Sequence, residues 1–302
     1  MNRMEKCRRF ISSYFSGKKF KGADQFILKN GLFGFKNVRR ERFKRELAFF
    51  ALRKKRLKAL LSSFINRFGK EKFIFYKGIR TEKYFGDNER IFSDIDLLCS
   101  RDTFQEMKEV LPHYREAVVY RKKGIEVEIK HNFFDVFFSA FLPRRTLKFK
   151  DLFYNESNER EFNHFILVCI HNFAHQFSRV DRFFDIHFLR EEFGFKMDRI
   201  IERSRKYGLE LFVKSNFYLM EKMGFGKKYE IELTGLEKVL LEHLFNTGKN
   251  RYKIFLIMLK LDPIRAFLFF MQKTLFLDPF YTRKVLTFIK KTRIGLTCTS
   301  CI

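Results

Sequence analysis

Ser93-Asp94-Ile95-Asp96-Leu97-Leu98-Cys99 reads as a β-strand, and its reading decides the rest of the chain. On a strand, residues i and i+2 point to the same face, so Asp94 and Asp96 project together while Ile95 and Leu97 face a core. Two carboxylates held a few ångströms apart repel each other unless a cation lies between them. The hard, oxygen-preferring choice is Mg²⁺, with Mn²⁺ as the substitute. A solvent-exposed strand face would carry the same pattern without binding anything. A second alternating run, Ile125-Glu126-Val127-Glu128-Ile129, again sets two acids on one face, opposite three β-branched residues. If the two strands are neighbours, one glutamate completes a three-carboxylate cluster, able to hold divalent ions against a triphosphate and a nucleophile.

Outward from these strands, Lys72 to Tyr76 is a short β-prone run that ends at Lys77-Gly78. A brief helix is expected over Arg80 to Phe85, a turn at Gly86-Asp87-Asn88, and a helix over Thr103 to Leu111. Val118 to Tyr120 pairs with Ile125 to Ile129 through a hairpin turn at Arg121-Lys122-Lys123-Gly124. Upstream, Glu46 to Ile65 has apolar residues at three- and four-residue steps, a helix that Gly69 closes. After about residue 145, amphipathic helices are expected over 162–177, 179–193, 197–207 and 236–245, followed by an apolar and basic segment over 250–295. The expected organisation is a basic helical leader (1–70), a small α/β core (71–150) and a helical C-terminal region (151–302), hence an α+β fold with a small mixed sheet flanked by helices.

The composition bounds the partners. The 302 residues carry 62 Lys+Arg against 35 Asp+Glu, a net charge of +27, and 46% are hydrophobic, which excludes a disordered chain. Only 15 Gly and 4 Pro exclude collagen-like and loop-dominated folds. A/T-rich codons favour both Lys and Phe, so the 43 Phe and the basic excess have a compositional explanation. A field of this sign attracts polyanions whatever its origin. The five Cys show no framework spacing, and Cys298 and Cys301 form one CxxC pair without a second. The N-terminus lacks an apolar signal core and no stretch reaches the length of a membrane span, so a cytoplasmic protein with reduced thiols is expected.

The order Tyr76-Lys77-Gly78, then Arg90-Ile91-Phe92-Ser93-Asp94-Ile95-Asp96-Leu97-Leu98, then Ile125-Glu126-Val127-Glu128-Ile129 resembles the DNA polymerase β-type nucleotidyltransferase superfamily, and within it the uncharacterised bacterial nucleotidyltransferase-like branch. The resemblance spans roughly residues 45–190 and is strongest around 76–98. It implies a nucleotidyltransferase core that moves an NMP group from an NTP, ATP being the expected donor, to an acceptor that is RNA, protein or a small molecule. Asp94, Asp96 and Glu128 would be catalytic and bind Mg²⁺ or Mn²⁺. Lys77, Gly78, Arg90 and Ser93 would contact the nucleotide. Between Glu126 and Glu128, the resemblance favours Glu128, because it lies just before the segment where family members place Glu-Leu-His; Lys130 stands where that histidine would be. The branch also carries spaced histidines followed by Arg and Asp. Here His164, His171 and His175 share a helical face, with Arg182 and Asp185 beyond them. Glu126, His175, Arg182 and Asp185 are therefore expected either around the cleft or in a buried network tying the helical region to the core.

Two further readings stand beside the enzyme. One is a non-catalytic module on the same fold that binds nucleotide or RNA through its basic helices, with Arg39-Arg40-Glu41-Arg42 and Arg53-Lys54-Lys55-Arg56 interleaved with Phe43, Phe49 and Phe50. The other is a peripheral membrane protein using its Phe-rich basic C-terminal helices.

Overall fold

The computed structural model describes residues 2–76, 78–86, 89–92, 94–114, 117–122, 125–131, 157–175, 177–226, 229 and 231–247. Lys77, Ser93, the Asp87-Asn88 and Lys123-Gly124 turn positions, the 250–295 segment and the Cys298/Cys301 pair lie outside these residues.

Five strands form one mixed sheet: β1 (Phe73–Tyr76), β2 (Ile95–Cys99), the two-residue β3 (His113–Tyr114), β4 (Ala117–Lys122) and β5 (Ile125–Lys130), in the spatial order β1-β2-β5-β4-β3. β1 runs antiparallel to β2, β5 antiparallel to β4, and β4 antiparallel to β3, while β2 and β5 are parallel. The β4–β5 hairpin follows from the alternation read in the sequence: Ile125, Val127 and Ile129 are buried, with Glu126, Glu128 and Lys130 half-buried between them. β2 is buried along its whole length, as befits a strand covered on both faces.

One face of the sheet, formed by Phe73, Ile95, Leu97, Val127 and Ile129, packs under α3 (Lys44–Phe68) and α5 (Arg101–Val110). In α3 the residues Leu57, Leu60, Leu61 and Phe64 supply the buried stripe at steps of three and four. The helix ends at Gly69, whose φ of +84° is a conformation that L side chains rarely adopt. In α5, Ser100 caps the first turn by accepting from Thr103 N at 3.1 Å.

The opposite face contributes Ile74, Tyr76 and Leu98 to a larger core. This core is built from α1 (Arg3–Phe15), α2 (Asp24–Lys29), α6 (Ser157–Ala174), α7 (Asp181–Phe193), α8 (Met197–Lys206), α9 (Glu210–Met223) and α10 (Gly235–Thr247). A short α4 (Gly78–Thr81), continued by a 3₁₀ turn over Glu82–Tyr84, links β1 to it. Phenylalanine ring contacts run through this core: Phe10 lies edge-on 5.5 Å from Phe35, Phe35 is tilted 4.8 Å from Phe184, and Phe184 meets Phe225 edge-on at 4.8 Å. Much of the Phe excess is thus core material.

The first 70 residues divide between the two cores. Cys7, Phe10 and Ile11 of α1 are buried with the C-terminal helices, and Arg3 donates to the carbonyls of Phe245 (2.8 Å) and Phe177 (2.7 Å). The second half of α3 belongs to the sheet. The sequence reading also passed over α9, in which Phe212, Val213, Ser215 to Met220 and Met223 are buried and only a narrow polar edge of Glu210, Lys214, Glu221 and Lys222 is left half-buried. Among the described residues the fold is α+β, a small mixed sheet flanked by ten helices, and no helix is long and apolar enough to cross a membrane. Cys7, Cys99 and Cys169 are free, buried thiols.

Candidate active site

The parallel pairing of β2 with β5 sets Asp96 level with Glu128 and Leu98 level with Lys130. Asp96, Glu128 and Lys130 therefore share one face of the sheet. Lys130 Nζ lies 2.6 Å from Glu128 Oε2 and 3.3 Å from Asp96 Oδ1, so one ammonium bridges both carboxylates. Burial works against the Lys130 charge, but Asp96 and Glu128 overcome it and hold the ammonium above its ordinary pKa. Asp96 is 6% exposed, whereas Asp94, one residue before the strand, is exposed at its end. Glu126 lies one step nearer the strand's start than Glu128 and is tied to β4, accepting from Arg121 Nη2 at 2.6 Å and Nε at 3.0 Å. The structure thus brings Asp96 and Glu128 together, leaves Asp94 at the rim, and engages Glu126 elsewhere.

Tyr76 of β1 is level with Asp96 on its other side and is buried. Burial first, then the Asp96 charge, drives its phenol well above the usual pKa, with the nearby Arg182 guanidinium opposing. Above it stand the histidines of α6: the ring of His164 is 6.0 Å from Tyr76, that of His171 6.4 Å, and His171 is 4.3 Å from His175, which sits exposed just past the helix. Their common face is the one that meets the sheet.

Arg90, expected among the nucleotide contacts, turns inward instead. It is 7% exposed, with Nε 2.9 Å from Asp185 Oδ1, Nη2 2.7 Å from Asp185 Oδ2 and Nη1 2.5 Å from Asp181 Oδ2. A guanidinium fixed by three such bonds has its fork occupied by α7. Burial opposes its charge, yet Asp185 and Asp181 keep its pKa above the ordinary value. Thr81 at the end of α4 donates to the same Asp185 Oδ1 at 2.7 Å, and Arg179 Nη2 reaches Asp181 at 2.5 Å. Arg182 belongs to this group as well. Burial lowers its guanidinium to about 10 against the pull of Asp181, and its Nη1 has no hydrogen-bond partner among the described residues. Of the expected outer residues, Arg182 and Asp185 therefore lie in a buried Arg–Asp lattice that joins α7 to the segment entering β2, while His175 is exposed just past α6 beside His171.

Gly78 opens α4 tightly against that segment. A Cβ there would come 3.2 Å from Phe92 Cβ and 3.6 Å from Arg90 Nη2, so even an alanine would need Phe92 to give by a few tenths of an ångström. The sequence reading pairs Asp181 with Asp185 on one helix but gives Asp181 no role at the site, and it does not mark Thr81 at all. It noted Lys130 only as a departure from the family pattern, although its two-residue step from Glu128 already placed it on the acidic face.

The donor set is all carboxylate oxygen, the type Mg²⁺ accepts, and Mg²⁺ commonly takes one or two carboxylates with the remainder from water and substrate phosphates. Among the described residues no group of three His, Cys, Asp or Glu side chains is placed to hold a metal ion. Asp96 and Glu128 offer oxygen donors of the type a divalent ion accepts, so an ion there would need further ligands such as phosphate oxygens.

No curated protein and no solved structure matches the chain. The model of one family, described as uncharacterised nucleotidyltransferase, matches residues 35–224, from the approach to α3 through the end of α9 and across every candidate site residue. Family membership implies a nucleoside triphosphate as substrate. With well over half of its length matched, the chain belongs to the uncharacterised nucleotidyltransferase family.

Proposed function

We propose that the chain is a divalent-metal-dependent nucleotidyltransferase of the DNA polymerase β type, moving an NMP group from an NTP, with ATP the favoured donor, to an acceptor hydroxyl. The acceptor oxygen bonds to the α-phosphorus, the bond from that phosphorus to the bridging oxygen breaks, and pyrophosphate leaves. The observation that carries this reading is the parallel β2–β5 register that sets Asp96 beside Glu128, with Asp94 exposed just before β2. Asp96 and Glu128 would hold Mg²⁺ or Mn²⁺, with Asp94 completing the set from the rim. The ion supplies charge neutralisation at the triphosphate and acidifies the acceptor hydroxyl. Tyr76, with His164 and His171 against it, borders the site on the helical side. Gly78 permits close approach at the start of α4, while Lys77 and Ser93 remain proposed phosphate contacts from the family pattern. Arg90, by its partners, positions the β2 entry rather than touching phosphate.

A second reading, polyanion binding without transfer, draws support from α3. Its outer side carries exposed Arg45, Lys55 and Arg56 around Phe49, 58% exposed, and Leu52, 49% exposed.

One experiment separates them. Purified protein is incubated with each α-³²P-labelled NTP, Mg²⁺ and whole-cell extract, and the labelled product identified. The Asp94→Asn, Asp96→Asn double variant is expected to abolish labelling, at least a hundredfold below wild type, because the charge that develops in the transition state loses its counter-ions. RNA retention by the same variant stays unchanged. Labelling that survives the double substitution overturns the assignment of these carboxylates.

A further inference from the structure

The cation between Asp96 and Glu128 is a side chain of this chain. Lys130 Nζ makes a charge-assisted bond to Glu128 at 2.6 Å and a longer one to Asp96 at 3.3 Å, on the face where the two strands bring the acids level. Its stem rises from β5 next to Ile129, which is fully buried, so the backbone beneath the ammonium is fixed by the sheet and the reach of the side chain is short. A divalent ion bound by both carboxylates must take the space that Nζ occupies. Two carboxylates without an ammonium would repel each other; with it they are neutralised to within one charge.

We propose that Lys130 is the resident counter-ion of this site, which a divalent metal must displace, so that the site takes its metal weakly alone and much more tightly together with a triphosphate. The inference rests on the nucleotidyltransferase reading. Two protein carboxylates offer a divalent ion too few ligands for tight binding by themselves, and the displaced ammonium needs a new anion. A triphosphate answers both needs at once, adding oxygens to the metal and receiving the lysine. The positive coupling between metal and nucleotide is then a property of one side chain, and by linkage each ligand raises the other's affinity by the same factor.

Mn²⁺ binding, followed by loss of the free-ion electron paramagnetic resonance signal, tests this without any turnover. The proteins are wild type, Lys130→Met, Lys130→Gln, Lys130→Arg and Asp96→Asn, each checked for native far-UV circular dichroism. With Mn²⁺ alone, Lys130→Met and Lys130→Gln are expected to bind about ten- to a hundredfold tighter than wild type, the factor set by removing one competing charge-assisted bond. Lys130→Arg stays within about threefold of wild type, on the standing uncertainty of single contacts. Measured as the signal lost beyond that of the same nucleotide without protein, a mixture of the four α,β-imido nucleoside triphosphates tightens Mn²⁺ binding by wild type and does so much less for Lys130→Met. If Lys130→Met and Lys130→Gln bind Mn²⁺ no better than wild type while Asp96→Asn loses it, the counter-ion proposal is overturned and the metal site stands. If Mn²⁺ binding is the same in Asp96→Asn as in wild type, the carboxylate site itself falls and the proposal with it.

Discussion

His164 shows how much a single buried group can govern. It is 1% exposed on α6, stacked edge-on against Tyr76, and neither ring nitrogen has a hydrogen-bond partner among the described residues. Burial, helped by the Arg80 charge, pushes its pKa well below the usual 6.5. The folded protein therefore keeps His164 neutral where the unfolded chain takes up a proton. The associated stability is complete above about pH 6.5 and is lost as pH falls below it, by about 1.4 kcal/mol per pH unit until the folded-state value is reached. His164→Leu removes the titration without removing a hydrogen bond. The drop in Tm between pH 7.5 and pH 5.5 is expected to shrink in that variant, and an unchanged drop would assign the pH sensitivity to other groups. At this scale the sequence was informative where a rule of period two applied. Asp96 and Glu128 could be placed on strand faces, and Lys130 with them. It was silent on Arg90, because the partners that turn it inward lie about ninety positions away on α7, and no local pattern announces a contact at that separation.

Among the elements, α7 does most to position the candidate site. Asp181 and Asp185, one turn apart, grip Arg90 just before β2, and Asp185 also receives Thr81 from α4. A helix with two buried carboxylates is costly unless every oxygen is matched, which makes the grip strong only while it is complete. Asp185→Ala removes two of the three Asp bonds to a buried guanidinium and is expected to destabilise the protein by about 3 kcal/mol, read as a lower urea midpoint. Asp185→Asn, which keeps an acceptor for Arg90, loses less; equal losses would mean that the carboxylate charge carries the whole effect. Helix identity was legible wherever one side faced water: α3 and its Gly69 stop, α5, α8 and α10 were all expected close to their observed limits. α9 was not, because its buried face is so wide, from Phe212 and Val213 through Asn216, Phe217, Leu219 and Met220, that only a narrow polar edge of Lys214, Glu221 and Lys222 remains to mark it. The two-residue β3 is too short to generate any alternation.

For the molecule as a whole, the chain's order and its packing differ. The basic charge suggested a leader apart from the core, yet α1 is sealed among α9 and α10 by Phe10, Ile11 and the Arg3 bonds to Phe177 and Phe245. A linear reading divides a chain where composition shifts, whereas hydrophobic burial joins whatever surfaces meet. α3 makes the point most sharply. Leu47 and Phe50 near its start rest on the helical core, with Phe50 5.4 Å from Phe33, while Leu57, Leu60, Leu61 and Phe64 further along fill the core beneath the sheet. One rigid rod of 25 residues is thus a common wall to two rooms, and neither room can lose it without opening the other. Heating is accordingly expected to melt both in a single step, with far-UV and tyrosine near-UV circular dichroism tracing coincident curves. Two separated transitions would mean that the wall can be shared out after all.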